Sequence, residues 1–151
     1  MDSIWIILII IALLLVWSLV RRKNTATPKL DAAIGVITDV NTDLRVVEIR
    51  QADPKSKKKF SNGNWRRFED KLIFLDASVI SSLKEAFTLV EDFNSRIEVA
   101  KKGNNLATLQ DLPLEKLKWL LSDCKKGLAE WLKANMQSEL QNTKRRTWLG
   151  F

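Results

Sequence analysis

The chain has 151 residues, 25 Lys and Arg against 18 Asp and Glu, six Trp, one Cys, and neither His nor Tyr. Without His, the commonest general base and metal ligand is missing, and Ser–His–Asp, Cys–His and nearly all zinc chemistry go with it. The lone Cys124 allows no internal disulfide, and five Gly and three Pro leave no collagen-like or Pro-rich tract.

Residues 4–20 read IWIILIIIALLLVWSLV, apolar except Ser18 and free of charge. As a helix this run spans roughly 26 Å, close to the hydrocarbon thickness of a bilayer. Trp5 and Trp17 stand near its two ends, where indole favours the headgroup boundary, and Arg21, Arg22 and Lys23 follow it. A cleaved signal peptide needs positive charge ahead of the run and small residues behind it, the opposite of the order here. The expectation is a single-pass transmembrane anchor over 1–22, its N-terminus outside, then a basic linker, 23–27, leading into a cytoplasmic domain. With no Gly and one Ser in the run, no pore, proton relay or GxxxG seam is expected.

Thr27-Pro28 suits a helix start. Leu30, Ala33, Ile34, Ile37, Val40, Leu44 and Val47 then recur at steps of three and four, predicting an amphipathic helix over 28–52 that ends at Asp53-Pro54. The β-branched content of this stretch, with Asn41-Thr42-Asp43 as a turn, leaves a β-hairpin in 34–50 as the alternative. Residues 53–76 form a basic linker of irregular pattern. A second helix is expected over 77–102, with Asp76 as N-cap, Gly103 at its end, and Asn94 on a stripe of Ile80, Leu83, Phe87, Val90 and Ile97. A third is expected over 112–142, with Leu114, Leu117, Leu121, Cys124, Leu128 and Trp131 on one face. The matched stripes and short loop predict an antiparallel pair, which 28–52 completes into an all-α, three-helix bundle.

The net charge of +7 is concentrated: residues 21–29 carry +4, 53–71 carry +4, and the tail 143–151 carries +3. Clusters at a membrane junction, a linker and a tail do not resemble the single charged face of a nucleic-acid-binding domain. Lys57, Lys58, Lys59, Trp65, Arg66 and Arg67, together with Lys144, Arg145 and Arg146, are candidate contacts to a polyanion, anionic lipid before nucleic acid. The other reading folds the linker aromatics onto the helices and leaves its charges in water. Trp119, roughly 200° around its helix from Leu117, either packs under the linker or, with Trp148, Leu149 and Phe151 of the tail, is a candidate contact to a protein partner. If the helices run up, down and up from the bilayer, that tail ends far from it. Heptad stripes also admit a homo-oligomer.

There is no P-loop, Gly-rich dinucleotide turn, Cys/His metal set or nucleophile elbow, and no cofactor is expected. The expected protein is non-enzymatic: a membrane-anchored helical domain that recruits or scaffolds a protein partner, or an accessory subunit of a membrane complex. A polyanion-binding module on residues 55–67 is the alternative.

Overall fold

A computed structural model describes residues 28–148, with side chains through residue 138. The expected anchor, with Trp5, Trp17, Arg21, Arg22 and Lys23, lies outside the described residues, as do Leu149 and Phe151. Among the described residues no helix is long and apolar enough to cross a membrane. Their regular structure is all helical: α1 (Pro28–Ala52), α2 (Gly63–Phe68), α3 (Ala77–Lys102) and α4 (Leu114–Trp148), with 3-10 turns at Glu69–Lys71 and Leu106–Leu109.

The 34–50 stretch is continuous helix, so the hairpin alternative falls. Val36, Val40, Val46 and Val47 are completely buried there, and that packing outweighs their poor intrinsic helix propensity. α4 runs on to Trp148 rather than ending near Asn142, with neither Gly nor Pro to stop it before Gly150. Asp76 stands at the N-cap of α3 in extended backbone, its side chain making no capping hydrogen bond. At the other end the left-handed residue is Asn104 (φ 50°), not Gly103 (φ −84°). The Asn104 and Asn105 amides return to the carbonyls of Lys101 and Ala100, which closes the last turn as a Schellman motif.

The direction of the helices corrects the up, down and up arrangement. α3 and α4 are antiparallel: Ser82 donates to Asp123 at 3.1 Å, Glu85 pairs with Lys116 at 2.8 Å, and Val79 lies against Gly127. α1 also runs antiparallel to α4, because Gln51 meets Glu115 and Lys118 while Lys29 sits 5.9 Å from the ring of Phe74, itself 4.4 Å from Trp131. α1 and α3 are therefore parallel. The 53–76 linker makes this possible by travelling back along the bundle: Phe60 lies beside Asn94, Trp65 beside Phe87, and Phe68 beside Gly35.

The linker is thus a packed element rather than a solvated strap. Phe60 and Trp65 are buried, as are Leu72 and Leu75 behind them, and all four join one core with α1, α3 and α4. Leu117, Leu121, Cys124 and Leu128 of α4 are fully buried at the centre, as their heptad spacing predicts.

Candidate functional site

α1 buries two adjacent faces. Ala33, Val40 and Val47 share the side that carries Gln51 toward α4, close to the stripe read from the sequence. Ile34, at the edge of that stripe, is exposed. The second face runs Ala32, Val36, Asp39, Asp43, Val46, Arg50, a heptad spacing with three charged residues in it, all buried. Sequence reasoning passed over those three. The signal was present: 39, 43 and 50 continue the 32, 36, 46 series, and a charge inside an apolar heptad marks a specific partner.

That partner is the backbone of the linker. Asp39 Oδ2 accepts from the N–H groups of Asn64 and Trp65 at 2.8 and 3.0 Å, while Oδ1 accepts from the Ser61 hydroxyl and the Asn64 amide. It caps the first turn of α2 from a neighbouring helix, satisfying donors that have no partner inside a helix. Asp43 Oδ1 accepts from the Ser61 N–H at 2.6 Å. Arg50 Nη2 donates to the Lys58 carbonyl at 2.9 Å, and its guanidinium stands 5.7 Å from the Phe60 ring centre. From the opposite wall Asn94 takes both backbone groups of Phe60.

Burial sets the electrostatics of this seam. It pushes the Asp43 carboxyl up to about 8, against the lowering effect of the Ser61 hydrogen bond, with neighbouring Asp39 adding to the rise. Asp43 Oδ2 has no hydrogen-bond partner, in keeping with a neutral carboxyl. Burial also lowers the Arg50 guanidinium, though Asp53 acts in the other direction; Nε and Nη1 are unpartnered. Cys124 is likewise held as a neutral thiol, pushed up to about 12 mainly by burial, and behaves as a small apolar residue. Among the described residues no cluster of three or more His, Cys, Asp or Glu is arranged to hold a metal ion.

The fold separates Trp65 from the other candidate polyanion residues, whereas Lys59 and Arg66 line one groove together with Glu91 and Glu98. Trp65 is 5% exposed and stacked on Phe87 at 4.8 Å with the rings 3° apart, so its faces are occupied. Lys57, Lys58, Lys59, Arg66 and Arg67 are exposed. Lys59 pairs with Glu98, Arg66 pairs with Glu91 at 3.0 Å, and Arg67 lies 5.1 Å from the Phe68 ring centre. Acidic residues of α3 therefore offset part of the basic linker.

Of the candidate partner contacts, Trp119 is 67% exposed on the side of α4 opposite its buried stripe. Lys144, Arg145, Arg146 and Trp148 belong to the last turns of α4, where the helical backbone alone is described. A shallow groove of about 430 Å³ between α3 and α4 is lined by Asp76, Val79, Asp123, Lys126, Glu130 and Trp131, among others, with no nucleophile and base paired in it. In comparison with known proteins, the chain matches no family model, no curated protein and no solved structure.

Proposed function

We propose that the chain is a non-enzymatic, single-pass membrane protein whose helical domain holds a protein partner at the cytoplasmic face of the membrane. The observation that carries the reading is Trp119. A large indole with two thirds of its surface in water sits on a helix whose other side is fully packed, so its position is fixed without a partner. Trp is among the residues that most often dominate protein interfaces. The apolar run 4–20 followed by Arg21, Arg22 and Lys23 supports the anchor and the orientation. The polyanion alternative is less well supported, because the indole that would stack on a ligand is in the core and Lys59 and Arg66 have acidic partners.

The test is photo-crosslinking of the full chain in its native membrane, with p-benzoylphenylalanine at Trp119 or, as a control, at the exposed Thr88. A discrete adduct from position 119 and none from position 88 is the expected result. An adduct of twice the chain mass makes the partner a second copy. Equal or absent adducts at both positions contradict the proposal.

A further inference from the structure

Asp39 and Asp43 stand one helical turn apart on the face of α1 that the linker covers, and both are buried. They converge on one residue. Ser61 donates its hydroxyl to Asp39 Oδ1 at 2.8 Å and its N–H to Asp43 Oδ1 at 2.6 Å. Asp39 accepts four hydrogen bonds in all and so acts as a full acceptor. Asp43 accepts one, and its Oδ2 is buried with no donor beside it. Among the described residues no cation forms an ion pair with either carboxyl. Two enclosed carboxyls that share a residue and lack a counter-charge resist carrying two negative charges, and the one with the bare oxygen holds the proton.

The other charged groups around the linker are engaged elsewhere. Arg50, two turns further along α1, donates to the Lys58 carbonyl and has Asp53 as its charged neighbour. Lys59 and Arg66 pair with Glu98 and Glu91 of α3.

What the linker covers gives this contact its consequence. α1 and α3 each pack along α4, and the linker lies between them. On the α3 side Trp65 is stacked on Phe87, and Phe60 is tilted against Phe93 at 5.8 Å.

We infer that Asp39, Asp43 and Ser61 form a pH-gated latch: ionisation of Asp43 sets two buried carboxylates against one serine, and residues 57–65 let go of α1 while α1 and α3 stay packed on α4. The open form bares the aromatic wall of α3 at Phe87 and Phe93. Its direction follows from which state binds the proton. Closed, burial holds the Asp43 proton to about 8; open in water, the group ionises near 3.8. The latch is therefore tightest below pH 4, loosens about tenfold per pH unit above that, and levels off beyond pH 8.

The experiment is amide hydrogen exchange on the full chain in detergent micelles at pH 5, 6, 7 and 8, with protection corrected for the intrinsic rate at each pH. It compares the amides of Ser61, Asn64 and Trp65 with those of Leu121 to Leu128 at the centre of α4. The expected result is a loss of about tenfold per pH unit at the three linker amides, with the α4 amides at least about tenfold better protected at pH 8. Asp43→Asn keeps an acceptor for the Ser61 N–H and should hold linker protection constant across the range. Linker protection that does not change with pH overturns the latch. So does a loss shared equally by α4, which reports unfolding of the whole domain. A pH dependence that survives in Asp43→Asn belongs to another group and overturns it as well.

Discussion

The side-chain amide of Asn94 satisfies both backbone groups of Phe60, accepting from its N–H at 2.8 Å and donating to its carbonyl at 3.0 Å. One residue of α3 thus does for the returning linker what a neighbouring strand does for an extended chain. Phe60 is buried, so its backbone has no easy substitute in water.

Asn94→Ala leaves both groups unpaired and should destabilise the fold by about 2–4 kcal/mol. Asn94→Asp keeps the acceptor but sets a carboxylate against the Phe60 carbonyl, and should lose at least as much at neutral pH. Urea unfolding of each variant measures this; a loss below about 0.5 kcal/mol, typical of an ordinary surface change, would show that the clamp does not hold the linker.

Asp43 gives the fold a pH dependence opposite to that of a salt-bridged carboxylate. Unfolded, it ionises near its ordinary value of 3.8, whereas burial holds its proton to about 8 in the folded protein. Between those values the folded state binds the extra proton, so this group's contribution is fully present below pH 4 and is lost as pH rises to 8. The loss is on the order of 5 kcal/mol if nothing relaxes. Asp43→Asn should flatten the profile across that range and be more stable than the parent at pH 8. Denaturation midpoints at several pH values provide the check.

Gly127 of α4 lies directly against Val79 of α3. A Cβ built there falls 2.6 Å from Val79 Cγ2, so the β-branched Val79 side chain or the helix that carries it has to shift. Ala favours an open helix by about 1 kcal/mol over Gly, but Gly127→Ala should cost about 1–3 kcal/mol net through overpacking. Adding Val79→Ala should recover most of that loss. A thermal-melt double-mutant cycle reads the coupling.

Asn104 holds the left-handed position that closes α3, with φ of 50°. Asn104→Gly removes the Cβ penalty there and should raise stability by a few tenths of a kcal/mol, up to about 1. Gly103, at φ −84°, needs no such freedom, and Gly103→Ala should be close to neutral or mildly stabilising. Thermal melts of both variants distinguish the two positions.

The boundaries of α1 and α3 were legible in the sequence because Pro28, Asp53-Pro54, Asp76 and Gly103 mark them chemically. The buried stripe of α4 was legible from Leu117, Leu121, Cys124 and Leu128. The path of the linker was not. Its burial depends on Asp39, Asp43 and Arg50, and a charge on a helix reads as solvent-facing until the backbone it grips is known. Direction was lost with it: an irregular linker over 53–76 fixes no direction for the helices it joins, whereas one that runs back along the bundle makes α1 and α3 parallel. The angle of Trp119 on α4 put it off the main stripe without separating a place under the linker from exposure, and tertiary packing alone decided that Trp119 is exposed and Trp65 buried.

The parallel arrangement of α1 and α3 underlies the returning linker, and pulsed electron resonance on doubly spin-labelled chain tests it directly. Labels at Asp31→Cys and Lys133→Cys should lie about 20 Å apart, across one end of the bundle. Labels at Asp31→Cys and Lys101→Cys should lie about 35–40 Å apart, the length of α3. A short distance from 31 to 101 with a long one from 31 to 133 would restore the up, down and up arrangement and contradict the account.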